Sequence, residues 1–145
     1  MINENIMLQV GVKILLKNKE NKYLLLRRSL EKYPETKNTG RWDIVGGRIE
    51  SGITLLENLK REIKEETGLE FTDSPKFIGA QDILIIPGHH IVRLSYIGNI
   101  DGEVKIDEDH DMYRWFSKEE LMSLDDINIY FKELLDSNAF CYNSI

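Results

Sequence analysis

The stretch Gly46–Leu69, GGRIESGITLLENLKREIKEETGL, decides how the rest of the chain is read. Its centre, Arg61-Glu62-Ile63-Lys64-Glu65-Glu66, reads as a helix. Glu62, Glu65 and Glu66 then stand at i, i+3 and i+4, so their carboxylates share one patch of surface. Leu56, Leu59 and Ile63 form an adjoining apolar stripe able to anchor the helix on a core. Both ends are marked: Thr54 and Glu57 make a T-x-x-E capping box, and Gly68 suits the left-handed residue just past the last turn.

Carboxylates at this spacing repel, at a cost of roughly 0.2–0.5 kcal/mol per exposed pair. A divalent cation reverses the sign of that interaction. Carboxylate oxygens are hard ligands suited to Mg²⁺ or Mn²⁺, and Mg²⁺ takes one or two of them beside water and substrate phosphates. A solvated acidic face is the competing explanation for an isolated E-x-x-E-E, so the flanking residues have to decide.

Those residues resemble the Nudix box, G-x5-E-x7-R-E-U-x-E-E-x-G-U, with U a bulky aliphatic residue. Gly47, Arg61, Glu62, Ile63, Glu65, Glu66, Gly68 and Leu69 fit in register, while Ile53 replaces the first glutamate of the pattern. The lead-in Gly40–Gly46, GRWDIVG, is also similar to the family's, with Val45 where proline is common. The resemblance implies a Nudix-type α/β/α sandwich, a mixed, mostly antiparallel curved sheet between helices, with the box at 47–69 as loop–helix–loop. It implies that Glu62, Glu65, Glu66 and the Gly47 carbonyl hold Mg²⁺, for which Mn²⁺ can substitute. Arg61 would orient a neighbouring glutamate; its alternative is a surface pair with Glu65. Loss of the acid at position 53 bears on a secondary metal site, with Glu50 a candidate replacement. A further acid outside the box is expected to act as base or extra ligand. Asp109 in the Asp107–Asp111 loop matches best, ahead of Asp111 and Glu108.

Outward from the box, the N-terminal side reads as Ile6–Leu16 strand, Asn18–Asn21 turn and Lys22–Arg28 strand, a hairpin. Ser29–Gly40, polar and holding Pro34, reads as a loop long enough to bind something. Trp42–Val45 is a short strand, and Arg48–Glu50 a candidate for another. Beyond the box, Lys76–Ile86 and His90–Ile100 read as long strands joined at Pro87-Gly88. Asp101-Gly102 signals a hairpin leading into Glu103–Ile106. Tyr113–Phe116 is a short strand, Ser117 caps a helix through Glu120, and a last helix spans Ile127–Asp136. Trp42 and Trp115 read as packing residues.

Alternation sends Arg27 and Arg28 to opposite faces of their strand, so one of them can meet a phosphate; Arg27 is the candidate, with Arg48 a second. Tyr33 is the candidate for stacking on a nucleobase. His89 and His90 are adjacent in a strand and point to opposite faces, against a shared metal.

The 145 residues suit one domain spanning 1–145, and their 41% hydrophobic and 30% charged content is ordinary for a globular protein. The lone Cys141, near the C-terminus, excludes an internal disulfide and fits a reducing cytoplasm. No signal peptide and no membrane-spanning apolar run is expected. The net charge of −6 argues against general nucleic-acid binding. A small-molecule nucleotide is the expected partner, the chain being a monomer or homodimer. The resemblance implies a Mg²⁺-dependent hydrolase cleaving phosphoanhydrides of nucleoside diphosphate-linked substrates, foremost as a MutT-like nucleoside triphosphate pyrophosphohydrolase acting on oxidised nucleotides among others. The alternatives are an ADP-ribose or nucleotide-sugar pyrophosphatase, and a non-catalytic domain that senses nucleotide or docks a partner.

Overall fold

The computed structural model describes residues 5–137, so Cys141 lies outside the described residues. The apolar run ending at Leu16 forms the middle of β1 (Met7–Lys17), buried without interruption from Gly11 to Leu16. A strand buried on both faces belongs at the centre of a sheet. Val12, Ile14 and Leu16 enter one core cluster and Leu15 the other, as the two-residue period requires.

β6 (His89–Asn99) runs parallel to β1 along its whole length, from Met7↔His89 to Lys17↔Asn99. The other side of β1 is divided. β4 (Val45–Arg48) pairs with Gly11–Ile14, and β2 (Tyr23–Arg28) pairs with Leu16 and Lys17. β3 (Trp42–Asp43) and β7 (His110–Phe116) both pair with β2, and β5 (Lys76–Ile83) lies beyond β6. Every named pairing except β1–β6 is antiparallel. The turn at 18–21 forms as expected: the Asn18 side chain accepts from the amides of Glu20 and Lys22, and Asn21 takes φ 61°.

Helices cover both faces. α2 (Leu55–Thr67) packs Leu59 and Ile63 on one side. α3 (Lys118–Met122) and α4 (Ile129–Asp136) pack Leu121, Phe131, Leu134 and Leu135 on the other. The result is the α/β/α sandwich expected. Thr54 caps α2 by accepting the Glu57 amide at 3.1 Å, Gly68 ends it at φ 75°, and the reciprocal box forms at Ser117 and Glu120.

Several expectations need correction. Leu56 is 40% exposed, because the first turn of α2 lies outside the packed interface; Leu59 and Ile63 carry the anchoring. No strand forms at Glu103–Ile106. That segment crosses the end of α2 instead, where the Lys105 amide satisfies the Thr67 carbonyl and Val104 enters the core. The long loop contains a one-turn helix, α1 (Thr36–Thr39), closed by the Gly40 amide on the Thr36 carbonyl. β5 stops at Ile83, and β7 starts at His110, whose pairing with Arg28 extends the ladder. Trp42–Val45 is divided between β3 and β4, with Arg48 closing β4 rather than opening a new strand. Among the described residues, no helix is long and apolar enough to cross a membrane.

Candidate functional site

Glu62 and Glu66 sit one turn apart on α2 and are both buried, at 8% and 7% exposure. Buried carboxylates need partners: strand β4 supplies one to Glu66, and Arg61 serves Glu62. The Gly46 amide donates to Glu66 Oε1 at 3.2 Å. Glu62 lies against Gly47, where an added Cβ would stand 2.9–3.0 Å from its carboxyl atoms. Gly46 itself holds φ 142°, and a Cβ there would meet the Val12 carbonyl at 2.0 Å. The double glycine is what lets β4 lie directly on the acids.

Burial pushes the Glu66 carboxyl well above the usual range; the Lys13 charge opposes this, and a hydrogen bond with Glu62 adds to it. A divalent cation would offset the cost of burying these acids, and two carboxylates with water and phosphate oxygens form a normal Mg²⁺ donor set. The residues therefore fit the ion. Glu65 differs from its neighbours. Its side chain is half exposed and takes a hydrogen bond from Arg61 Nη1 at 3.3 Å. Among the described residues, no three His, Cys, Asp or Glu side chains converge on one point as they stand.

Arg61 gathers the surroundings of the acids. Nη1 donates to Glu62 at 2.9 Å as well as to Glu65, and Nη2 donates to Asn58 Oδ1 at 2.9 Å and the Arg48 carbonyl at 3.2 Å. Both sequence readings of Arg61 thus describe real contacts. Glu50 pairs with Arg61 Nε at 3.6 Å, and fully buried Asn58 binds the Glu50 amide and the Ile53 and Thr54 carbonyls. At position 53, the main chain is what engages this network.

On the opposite side of the double glycine of β4 lies a cavity of about 580 Å³, lined by Lys13, Arg28, Tyr33, Asp43, Arg48 and Arg93 among others. Gly47 also lines it, so one residue faces the cavity while backing on Glu62. Lys13 Nζ donates to the Gly46 carbonyl at 3.1 Å, so the Gly46 residue is held by Lys13 through its carbonyl and by Glu66 through its amide. Isoleucines 83, 85, 86 and 91 make an apolar wall. The charged lining carries four cations against Glu35 and Asp43, a surplus of positive charge in a chain of net charge −6.

The other predicted residues are placed as follows. Tyr33 and Arg48 line the cavity. Arg27 does not: its Nε donates to Asp111 at 2.7 Å, and its guanidinium lies over the Trp42 ring at 5.7 Å. The alternation argument was sound, but it is Arg28 that takes the cavity side, where its guanidinium covers Tyr33 at 4.5 Å. Asp109 accepts from Lys32 Nζ at 2.9 Å, and its carbonyl accepts the Ser29 amide. The Lys32 hydrogen bond, against slight burial, holds its carboxyl below the usual range. Asp111 bridges Arg27 and Arg41, and Glu108 is 3.8 Å from Lys32.

Sequence reasoning missed Lys13, Asp43, Arg93 and Asn128. A signal existed for two of them: Lys13 interrupts VGVKILL and Arg93 interrupts IVRLSYI, charges in strands otherwise apolar enough to be central. Asp43 and Asn128 carried none, because only the fold brings them to the cavity.

Residues 7–136 match the NUDIX domain family. A Mycobacterium tuberculosis protein named, provisionally, 8-oxo-dGTP diphosphatase 2 is 31% identical over 86 residues, 59% of this chain and 60% of that one. The chain thus spans about three fifths of that relative's length. The mouse oxidized purine nucleoside triphosphate hydrolase is 26% identical over 112 residues, 70% of this chain and 67% of its own. The crystal structure of a MutT protein from Methanosarcina mazei superposes with a TM-score of 0.81 at 25% identity, covering 99% of this chain and 100% of that one.

Proposed function

The chain belongs to the NUDIX family, and on that premise we propose that it hydrolyses a phosphoanhydride bond in a nucleoside triphosphate, releasing a nucleoside monophosphate and pyrophosphate. Oxidised nucleotides are included among the substrates, in keeping with the names of the M. tuberculosis and mouse relatives. The observation that carries this reading is the double-glycine segment of β4, which joins two buried carboxylates on one side to a cation-lined cavity on the other.

Glu62 and Glu66, with Glu65 swung in from solvent and the Gly47 carbonyl, would hold Mg²⁺ or Mn²⁺ together with the substrate's phosphate oxygens. A divalent ion held by these residues would supply charge neutralisation at the phosphoryl group and a more acidic water. Arg61 keeps Glu62 oriented. Arg28 and Arg48 at the cavity meet the phosphate chain, and Tyr33 with the isoleucine wall covers the base. Arg27, spent on Asp111, packs the sheet instead. Asp109 is better suited to pinning the long loop through Lys32 than to general-base work, since a carboxylate held low is a weak base. A monomer or homodimer in the cytoplasm is the setting we propose.

The test is a panel of canonical and oxidised nucleoside triphosphates with Mg²⁺, scored for monophosphate and pyrophosphate. Release with at least one member, abolished by chelation, is expected. No release from any of them by folded protein would overturn the reading.

A further inference from the structure

We infer that Arg93 is a specificity-determining residue: by occupying Asp43 it turns the cavity floor into a set of hydrogen-bond donors, which accept a nucleobase edge bearing a carbonyl and reject one bearing an amine. The inference rests on the nucleotide reading above and deepens it.

Asp43 is buried in the floor and ought to be the natural acceptor for a base's amino group. Its capacity is already consumed. Oδ1 accepts the Ile44 amide at 2.8 Å and Arg93 Nη2 at 2.9 Å. Oδ2 accepts Arg93 Nη1 at 3.0 Å and stands 3.3 Å from Lys13 Nζ. A carboxylate offers about four lone-pair sites, and four donors fill them.

Of the remaining polar lining, Lys13 and Asn128 present donors, whereas the hydroxyls of Tyr33, Thr36, Thr39 and Tyr130 either donate or accept and so do not discriminate between the two edges, and Asn38 is exposed. Lys13 has three protons and two partners, the Gly46 carbonyl and Asp43. Asn128 is the N-cap of α4, its Oδ1 accepting from the amides of Tyr130 and Phe131 at 3.0 Å, so the amide NH₂ is its free end. The acidic Glu35 lines the exposed mouth rather than the floor. The apolar wall that includes Ile85, Ile86 and Ile91 receives a ring face without regard to its edge groups. A ring carbonyl finds a donor here. An exocyclic amine would face donors with its own donors, leaving polar groups unpaired.

The test compares kcat/KM for two matched pairs differing at that group: the deoxyinosine and deoxyadenosine triphosphates, and the deoxyuridine and deoxycytidine triphosphates. The wild-type chain should favour the carbonyl member of at least one pair by about tenfold or more. Arg93→Leu, which leaves Asp43 with Lys13 and the Ile44 amide, should shrink that ratio by about tenfold through a gain on the amine member. Lys13→Met removes one floor donor and frees one Asp43 lone pair while keeping both Arg93 bonds, so it should lower the ratio in the same direction but by less than Arg93→Leu. Because each ratio is read within one variant, a loss of folded protein cancels, and a purely structural role for Arg93 would leave the ratio where it was. Equal kcat/KM within both pairs, or a ratio untouched by Arg93→Leu, overturns the inference while leaving the hydrolase reading standing. Hydrolysis of no nucleotide at all removes both.

Discussion

Glu66 Oε1 receives the Gly46 amide at 3.2 Å, so an acid on α2 is tied to the backbone of the strand that borders the cavity. Glu66→Gln preserves this bond through its carbonyl oxygen while removing the charge. With Mg²⁺ we expect kcat to fall by at least about a hundredfold, the scale for losing one electrostatic partner of a transition state. Thermal melting separates this from misfolding. Mg²⁺ or Mn²⁺ should raise the wild-type Tm and leave the variant's unchanged, since only a ligand bound to the native state stabilises it.

The close packing of Gly47 on Glu62 predicts a contrast between two glycines. Gly47→Ala puts a methyl 2.9–3.0 Å from the Glu62 carboxyl and should displace it, costing about tenfold or more in activity. Gly11→Ala meets its nearest neighbour, the Gly47 carbonyl, at an ordinary 3.6 Å and should cost little. Steady-state kinetics of the two variants checks this; equal losses would show that Glu62 does not depend on the gap.

Asp109→Asn distinguishes an anchor from a base. If the residue pins the loop through Lys32, kcat/KM should fall less than about tenfold and the pH profile should keep its shape. A general base would cost about 10²–10⁴ and abolish the acidic limb. Lys32→Met, breaking the same contact from the other side, should reproduce the smaller effect.

Acid sensitivity follows from Asp43. Burial works to raise its pKa, but the charges of Arg93 and Lys13, with hydrogen bonds from Arg93 and the Ile44 amide, outweigh it and hold the carboxyl far below its ordinary range. The unfolded chain, with Asp near 3.9, therefore binds this proton first as the pH falls. The stability contributed by Asp43 is fully present above about pH 5 and drains away as the pH drops below about 4. Urea midpoints between pH 7 and 3 should show that decline, and Arg93→Leu should show a shallower one.

Much of this was legible in the chain itself. The spacing of Arg61 to Glu66 placed the acids on one helix, and the β-branched runs marked β1, β5 and β6 because local period reports burial. What the sequence could not show was long-range pairing. Asp101-Gly102 looks like a hairpin, yet Val104 finds its burial under α2. Arg27 and Arg28 are equivalent in sequence; Asp111, remote in the chain, draws Arg27 away from the cavity. Glu65 looks equal to Glu62 and Glu66, but only the latter two sit beneath the double glycine of β4. Lys13 and Arg93 were readable as anomalies, although their shared partner Asp43 was not.

The parallel β1–β6 ladder has a consequence for how the chain acquires its structure. Its partners lie about eighty residues apart from end to end, and the entropy of closing so long a loop precedes any reward from the contacts. During synthesis, β1 emerges before its central neighbour and must wait for about eighty further residues to be made. Folding should accordingly be slow for this size, and the nascent apolar strand Val10–Leu16 is the segment on which a chaperone would act.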